Sequence, residues 1–176
     1  MIETQRLILR QWRPEDHGPF AELNADPTVM EFFPSTHPAA ESDALAERNR
    51  DLIEENGWGL WAVEIQATGE FAGFTGLVPI PFETRFTPAV EVGWRLAHRF
   101  WGHGYAPEAA RAAMDFGFNQ LGLSEIVAMT AEKNLRSRRV MEKLAMTYDP
   151  ADDFDHPKIA EDLPIRRHVL YRAEPR

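Results

Sequence analysis

The stretch Arg99-Phe100-Trp101-Gly102-His103-Gly104-Tyr105-Ala106 decides how this sequence is interpreted. It follows Val90–Ala97, which alternates apolar and polar residues as a half-buried β-strand does. Helical periodicity begins at about Tyr105, with Pro107 in the first turn, where proline is favoured. The N–H groups of a first helical turn point out of the helix end, and glycine lets an anion approach the backbone closely. The stretch therefore predicts a phosphate-binding loop, with Arg99 as a nearby cation.

Two glycines alone are also consistent with an ordinary tight turn, so the neighbouring residues decide which nucleotide sites are possible. A P-loop is not present, because no Gly-Lys-Ser/Thr follows. The dinucleotide fingerprint is not present either, since Pro107 stands where a third glycine or an alanine is needed. Nucleotide hydrolysis and hydride transfer therefore both lose support.

Composition limits the class of protein further. A length of 176 residues and a hydrophobic fraction of 44% predict a single domain over 1–176 with a sizeable core. The formal net charge of −9 disfavours a nucleic-acid partner, which usually needs a basic face. No apolar run approaches about 18 residues and the N-terminus lacks a signal-peptide core, so we expect no membrane segment and a cytoplasmic protein. Cysteine is absent and the histidines show no ligand spacing, so we expect no disulfide and no metal.

The order of the predicted elements indicates the fold class. Strands are predicted at 6–12, 60–66, 71–78, 90–97, 126–130 and 165–173. Helices are predicted at 14–26, 39–56, from 105 onward, and at 134–144, and residues 149–164 read as a surface loop. Neither a doubly wound nucleotide-binding fold nor an all-β fold has this order.

Four motifs, in this order and spacing, resemble the GNAT superfamily of N-acetyltransferases. More narrowly, they resemble its RimJ/RimL-type branch, which includes ribosomal-protein N-terminal acetyltransferases. The motifs are the opening strand Thr4–Arg10, the strand Glu91–Leu96, the loop and helix start Arg99–Ala109, and the helix Asn134–Leu144. The resemblance implies an α/β (α+β) fold with a mixed, mostly antiparallel sheet of roughly six or seven strands, flanked by about four helices. That sheet would splay open between its fourth and fifth strands.

The same resemblance implies that acetyl-CoA lies in this opening. Backbone groups of the fourth strand would pair with the pantetheine arm, and amides of the loop from Phe100 through Tyr105 would hold the pyrophosphate. The later helix would contact the pantetheine, the ribose phosphate or the adenine. The implied cofactor-binding residues are Trp94, Arg95, Leu96, Arg99, Phe100, Trp101, Gly102, His103, Gly104, Tyr105, Ala106, Asn134 and either Arg138 or Arg139.

Acetyl transfer to an amine needs a base that accepts the proton of the ammonium. Glu91 is the candidate, because it lies on the strand beside the opening and next to Gly93, where space is available. The competing interpretation is a solvated or salt-bridged strand carboxylate. A backbone N–H of the same strand would polarise the thioester carbonyl.

The departing thiolate needs a proton or a hydrogen-bond donor. Ser137 is the leading candidate, because helical spacing places it on the inward face of its helix. Its competing interpretation is a hydroxyl bonded to its own helix backbone. Asn134 is the third candidate for the catalytic site, and it competes with a role as the helix N-cap.

Aromatic residues outside these motifs are candidates for the acceptor pocket. Phe32 and Phe33 lie in an irregular segment between two helices, and Trp12 ends the first strand. Core packing is the competing interpretation for all three. We include Trp12, Phe32 and Phe33 in the predicted substrate-binding set.

The sequence departs from the branch at the end of the last motif helix. Leu144-Ala145-Met146 stands where the branch usually has Leu-Gly-Phe. Alanine is strained by about 1 kcal/mol in the left-handed conformation that the glycine allows. We therefore expect this helix end to be shaped differently.

The motifs together predict an acetyl-CoA-dependent N-acetyltransferase that acts on a primary amine, such as a protein N-terminal amine. A small acceptor, such as an amino acid, a polyamine or an aminoglycoside-like compound, stays open. A CoA-binding sensor without turnover also stays open. Both a monomer and a homodimer are compatible with the sequence.

Overall fold

The computed structural model describes residues 1–175, and its longer elements follow the predicted order. The strands are β1 (Ile2–Glu3), β2 (Leu7–Arg10), β3 (Leu60–Ile65), β4 (Phe71–Pro79), β5 (Val90–Leu96), β6 (Ile126–Ala131), β7 (Thr147–Tyr148), β8 (Phe154–Asp155) and β9 (Arg167–Ala173). The helices are α1 (His17–Ala25), α2 (Ala39–Asn56), α3 (Tyr105–Asn119) and α4 (Leu135–Lys143). Short 3₁₀ turns occur at Pro14–Asp16, His98–Phe100 and Pro150–Asp152.

All strands belong to one sheet, whose order is β1-β2-β3-β4-β5-β6-β9-β7, with β8 paired to β9. Every neighbouring pair is antiparallel except β5 and β6. These two parallel strands share the single residue pair Glu91 and Val127, and no later residue of β5 pairs with β6. The sheet therefore opens between β5 and β6, which are the predicted fourth and fifth strands. The predicted mixed, mostly antiparallel sheet with four helices is confirmed, but within residues 1–175 it has nine strands instead of six or seven, because the short strands β1, β7 and β8 add to it.

Helix α3 packs closely on one face of the sheet through a stripe of small residues. Ala109, Ala110 and Ala113 are completely buried. A Cβ atom added to Gly117 would lie 2.8 Å from the ends of the Leu77 and Ile126 side chains, which would have to shift to make room for it. The opposite face carries α1, whose Phe20 stacks edge-on against Phe74 of β4.

The aromatic cluster on the α1 face includes Trp12, which corrects one prediction. The Trp12 ring is 3% exposed and lies 4.8 Å from Phe20 and 5.6 Å from Phe71, centroid to centroid. Its Nε1 donates a 2.7 Å hydrogen bond to the carbonyl of Leu60. Trp12 is therefore a core residue and not the pocket residue that was predicted. A buried indole whose N–H has a hydrogen-bond partner is more stable than one that leaves its apolar ring in water.

A buried ion-pair network joins β2, β3 and the turn before α1. Arg10 donates to both carboxylate oxygens of Asp16, at 2.7 and 2.8 Å, and its Nε donates to Glu64 at 2.6 Å. The side chains of Arg10 and Asp16 are 6% and 3% exposed. Removing one partner would leave an uncompensated charge in the interior. The network therefore ties β2 to β3 and to the turn before α1.

The end of α4 corrects a second prediction. Ala145 adopts the left-handed conformation, with φ of 57°. The N–H of Ala145 donates to Glu142 and that of Met146 donates to Met141, at 2.9 and 3.1 Å, which is the Schellman pattern. The helix therefore ends in the usual shape, because these bonds and the burial of Met146 outweigh the strain at Ala145.

No helix within residues 1–175 is long and apolar enough to cross a membrane. Over the same residues, no cluster of three or more histidine, cysteine, aspartate or glutamate side chains could hold a metal ion.

Candidate active site

The loop between β5 and α3 makes its turn with two left-handed glycines. Gly102 and Gly104 have φ of 81° and 80°. A Cβ on Gly102 would meet no atom within 4 Å, so space is not what requires glycine at that position. The backbone conformation itself is the requirement, since side-chain-bearing residues are strained there.

Unpartnered amides are concentrated in the second half of this loop. The N–H groups of Phe100 and Trp101 donate within the 3₁₀ turn, to Ala97 and His98, at 2.9 and 3.0 Å. No hydrogen bond within residues 1–175 uses the N–H of Gly102, His103, Gly104, Tyr105 or Ala106. These amides lie at the N-terminus of α3, where the helix dipole also favours an anion. The anion site stays a prediction: the amides available for it are those of 102–106, whereas the N–H groups of Phe100 and Trp101 are already used within the 3₁₀ turn.

Contacts from the start of the chain hold this loop in place. Glu108 accepts hydrogen bonds from Thr4 Oγ1 at 2.6 Å, from the Arg6 backbone N–H at 2.9 Å and from Arg6 Nε at 2.7 Å. Arg6 Nη1 donates to the His103 carbonyl at 2.9 Å, and its guanidinium lies 4.8 Å from the Tyr105 ring centroid. Burial raises the pKa of Glu108, but the bonds from Thr4 and Arg6 outweigh it and leave that pKa below its ordinary value. The network positions the loop without occupying its free amides.

The side chains of the loop have mainly structural contacts. Tyr105 stacks on His103, with ring centroids 5.5 Å apart. Phe100 is buried, and the exposed Arg99 guanidinium lies 4.6 Å from the Phe100 ring centroid. Trp101 Nε1 donates to the Leu96 carbonyl at 2.8 Å. Backbone amides, rather than side chains, are therefore the groups that this loop presents to a ligand.

Strand β5 presents backbone groups to the opening at alternate residues. The Ala97 N–H donates to the Ala72 carbonyl at 2.9 Å, and the antiparallel register with β4 continues from that pair. Alternation then directs the backbone groups of Arg95 toward β4 and those of Trp94 and Leu96 toward the β6 side. The Leu96 carbonyl is already occupied by Trp101. The predicted pantetheine pairing therefore narrows to Trp94 and the Leu96 N–H, and the Arg95 backbone is not available for it.

Glu91 lies on the face of β5 opposite Val92 and Trp94, beside the point where the sheet opens. Its side chain is partly exposed, and no basic group within residues 1–175 pairs with it. Burial raises the pKa of Glu91 to about 7, and a backbone hydrogen bond from Met129 only partly offsets this. A Cβ at Gly93 would touch only the end of Leu60, at 3.9 Å, so open space adjoins the carboxylate. A carboxylate of this pKa can exchange a proton near neutral pH.

The start of α4 carries the other two predicted catalytic residues. Asn134 Oδ1 accepts the N–H of Ser137 at 3.2 Å, and its Nδ2 donates to Thr130 Oγ1 at 2.9 Å. Asn134 is therefore the N-cap of α4, and one amide hydrogen and one lone pair of Oδ1 are left for a ligand. The half-buried Ser137 hydroxyl forms no hydrogen bond within residues 1–175, so it is not bonded to its own helix.

The arginines of α4 separate into three environments. Arg138 donates to the Tyr171 hydroxyl at 3.3 Å and to the Glu132 carbonyl at 3.2 Å, so it packs toward β9. Arg139 is exposed and forms no ion pair within residues 1–175, which leaves it as the candidate for a phosphate. Arg136, which the sequence did not suggest, pairs with Glu31 and lies 4.8 Å from the Trp101 ring centroid.

Phe32 and Phe33 lie beside the site, unlike Trp12. Phe33 is 39% exposed, and the Arg95 Cζ lies 4.1 Å from its ring centroid. Phe32 lies 5.7 Å from the Arg136 guanidinium. The segment between α1 and α2 therefore reaches both β5 and α4.

Comparison with known proteins places this geometry in a family context. The family model described as an acetyltransferase (GNAT) domain matches residues 6–147. The uncharacterized protein YkkB of Bacillus subtilis is 36% identical over 148 residues, which are 84% of this chain and 85% of YkkB. The FsC-acetyl coenzyme A-N(2)-transacetylase of Aspergillus fumigatus is 33% identical over 154 residues, 84% of this chain and 65% of that protein.

Two solved structures share the fold. A GNAT-family acetyltransferase from Bacillus anthracis superposes with a TM-score of 0.81 at 22% identity, covering 98% of this chain and 97% of that one. The spermidine N-acetyltransferase from Vibrio cholerae, solved with CoA and spermine, has a TM-score of 0.74 at 18% identity, with 97% of each chain covered. At these identities the likeness concerns the fold.

Proposed function

Because the chain belongs to the GNAT acetyltransferase family, we propose that it is an N-acetyltransferase that uses acetyl-CoA to acetylate a primary amine. The observation that carries the proposal is the set of unpartnered amides from Gly102 to Ala106 at the N-terminus of α3. A pyrophosphate fits such a set, because its oxygens need several donors and a positive potential. Acetyl-CoA supplies the acetyl group as a thioester, and the overall reaction converts a primary amine and acetyl-CoA into an N-acetyl amide and free CoA thiol.

Residues on both sides of the opening would hold the rest of acetyl-CoA. The Trp94 backbone and the Leu96 N–H face the opening and can pair with an extended amide-containing arm, as an added strand does. Arg139 is the candidate for a phosphate at the outer end. The fit comes from backbone donors and one cation, which suits an anionic ligand with amide groups.

Glu91 has the properties of the base. An amine attacks only when it is neutral, so the site must accept a proton from the ammonium. With a pKa of about 7, the Glu91 carboxylate is about half ionised at neutral pH and lies next to the open space over Gly93. It can therefore take the proton from the acceptor, directly or through a water molecule.

Two donors face the charges that develop during transfer. A backbone N–H on the open side of β5, with Trp94 as the candidate, would stabilise a developing negative charge on oxygen. The Ser137 hydroxyl, which has no partner within residues 1–175, holds a proton that it can share with a sulfur atom. Their roles are distinct, since one acts on the carbonyl oxygen and the other on the leaving group.

Thermal unfolding with CoA, acetyl-CoA or ATP tests the cofactor site. A ligand at 100 times its dissociation constant adds about 2.7 kcal/mol, which raises the melting temperature by roughly 5–10 °C for a chain of this size. We expect this shift with both CoA species and not with ATP. No shift with either CoA species would rule out the proposal.

A pair of glycine variants provides the matched control. Gly102 and Gly57 have φ of 81° and 78°, and an added Cβ meets no atom within 4 Å at either position. Gly102→Ala and Gly57→Ala should therefore strain the backbone to a similar extent. Only Gly102→Ala should reduce the stabilisation by CoA, because Gly57 ends α2 away from the loop.

Free-thiol release tests turnover. The chain has no cysteine, so a thiol reagent reads only the CoA that is formed. We expect kcat/KM to rise with pH through about 7, and Glu91→Gln to lower turnover and remove that rise while acetyl-CoA still stabilises the protein. An unchanged pH profile would eliminate Glu91 as the base, and binding without thiol release on any amine would favour the sensor.

A further inference from the structure

Arg95 is a partly enclosed arginine without an acidic partner. Its Nη1 donates a 2.7 Å hydrogen bond to Asn24 Oδ1, which is an uncharged acceptor. No carboxylate within residues 1–175 forms an ion pair with it, although the chain carries a net charge of −9. Its Nε is buried and has no hydrogen-bond partner among the residues that the structure describes. Enclosing an unpaired charge is unfavourable, so a cation in this state indicates a ligand of opposite charge.

The neighbours of Arg95 hold its guanidinium in a defined plane. Asn24 is completely buried, and its Nδ2 donates to Ser42 Oγ at 2.8 Å, which fixes the orientation of the amide. The Phe33 and Phe74 ring centroids lie 4.1 and 5.3 Å from the guanidinium carbon. Because Asn24 occupies Nη1 and Nε is enclosed, Nη2 is the nitrogen that a carboxylate can reach and that has no partner within residues 1–175.

Arg95 and Glu91 lie on the same face of β5, with Gly93 between them. A strand rises about 3.3 Å per residue, so the two Cα atoms lie about 13 Å apart. Both side chains are long enough to approach a small molecule over Gly93, where a Cβ would meet only Leu60 at 3.9 Å. The candidate base and the unpaired cation therefore lie on one face of β5, with open space over Gly93 between them.

We propose that Arg95 binds a carboxylate of the acceptor, so that the substrate is a small amine that also carries a carboxylate, as an amino acid does. This inference rests on the proposed function. The amino group would face Glu91, and the carboxylate would accept a hydrogen bond from Nη2 of Arg95. The burial that lowers the pKa of Arg95 to about 10 still leaves it charged at neutral pH. A polyamine would bring further positive charge toward this cation, so polyamines should be poor acceptors.

Matched pairs of amines test the proposal by thiol release. Each pair differs by the carboxylate: glycine with methylamine, β-alanine with ethylamine, γ-aminobutyrate with propylamine, and lysine with cadaverine, with spermidine added. We expect the carboxylated member of at least one pair to be preferred by tenfold or more in kcat/KM, which is the scale of a charge-assisted hydrogen bond. Equal or better rates with the uncarboxylated amines or spermidine would overturn the proposal and leave the proposed function intact.

Variants assign the preference to Arg95. Arg95→Gln should bring the ratio within the preferred pair close to one, mainly through KM. Arg95→Lys should restore it only in part, because lysine lacks the planar fork. Asn24→Asp places a carboxylate where Nη1 now meets a neutral amide, and Ser42 can still donate to it, so this variant should also lose the preference. Glu22→Gln, an exposed change on α1, should retain it.

A binding measurement makes the outcome independent of turnover. In the presence of CoA, the preferred carboxylated amine should raise the melting temperature of the unmodified protein and not that of Arg95→Gln. CoA alone should stabilise both proteins, which shows that the variant is folded and that the cofactor site is intact. Failure of CoA to stabilise either protein contradicts the proposed function. A CoA response without any carboxylate-dependent shift contradicts the role of Arg95.

Discussion

Replacing Glu91 with glutamine should stabilise the folded protein in a pH-dependent way. Burial raises the pKa of Glu91 from 4.5 to about 7, so the folded chain holds this proton more tightly than the unfolded chain does. The stability that this group contributes is therefore fully present below pH 4.5 and is lost as the pH rises through about 7. Glutamine has a similar shape and no charge, so the variant escapes that loss.

The structure sets the size of the effect. A pKa of about 7 against 4.5, at about 1.4 kcal/mol per pKa unit, corresponds to an upper bound of about 3 kcal/mol. The side chain is partly exposed, and water in the opening reduces the penalty for the charged form. We therefore expect the free energy of unfolding of Glu91→Gln, relative to the unmodified protein, to rise by about 1–2 kcal/mol between pH 4.5 and pH 8.5.

Urea unfolding at both pH values measures this difference. Glu22→Gln is the control, because Glu22 is exposed and forms no ion pair within residues 1–175. His156 and His168, whose pKa values burial lowers, are present in all three proteins, so their contributions cancel. A Glu91→Gln difference that is the same at both pH values, or that matches the Glu22→Gln difference, would refute the assignment of a raised pKa to Glu91 and weaken its role as the base.

Three further substitutions test other parts of the fold and the site. Ala145→Gly should raise the free energy of unfolding by about 0.5–1 kcal/mol, because glycine relieves the strain of the positive φ. The control Ala44→Gly, on the exposed side of α2, should lower the free energy of unfolding by up to about 1 kcal/mol, because glycine is unfavourable inside a helix. Urea unfolding measures both changes. Asp16→Asn should lower the free energy of unfolding by about 3 kcal/mol, because the buried charge of Arg10 then keeps only Glu64 as its ion-pair partner within the network. A loss below about 1 kcal/mol in the same assay would contradict a stabilising role of the network. Glu108→Gln should raise the KM for acetyl-CoA by about tenfold while changing kcat less, because the ion pair between Arg6 and the start of α3 is lost. Steady-state kinetics with an unchanged KM would show that other contacts hold the loop.

The elements that the sequence predicts well are those with a local pattern. Helix α2 has its predicted bounds, 39–56, and its end at the left-handed Gly57 follows from glycine in that position. Strand β5 was visible from its alternation alone. The dipeptide strands β1, β7 and β8 carry no period, because two residues cannot display one, and they exist only through their pairing with β2 or β9.

The sequence predicted the parts of the candidate site that are defined by glycine spacing. It did not predict the contacts between residues that lie far apart in the sequence. The positions of Gly102 and Gly104 indicated the anion loop, but the contacts of Glu108 with Thr4 and Arg6 join residues more than 100 positions apart. The pair of Glu31 and Arg136 is equally remote in sequence. No local period encodes such pairs, so only the folded chain identifies which charges meet.

Trp12 and Arg138 show that a residue type suitable for a site can also make packing contacts that its position in the sequence does not reveal. Trp12 has the aromatic surface of a pocket residue, yet the carbonyl of Leu60 satisfies its N–H within the core. Arg138 has the charge of a phosphate ligand, yet it contacts Tyr171. Composition and position along a helix do not distinguish these uses, because both favour the same side chains.

The backbone and the side chains of β5 have different proposed roles, which allows acceptor specificity to change separately from cofactor binding. The backbone of Trp94 faces the opening, whereas the side chains of Glu91 and Arg95 lie on the face of β5 where we propose that the acceptor binds. A backbone hydrogen bond is retained in most substitutions at its own position. Substitutions at Gly93 or Arg95 should therefore change acceptor binding without removing a backbone donor for the cofactor. The same holds for the loop at 102–106, because its proposed contacts with the cofactor are also made by backbone amides. Under the proposed function, one scaffold can therefore retain a common cofactor while its acceptor changes, and Arg95 is the residue at which we propose that this chain selects its acceptor.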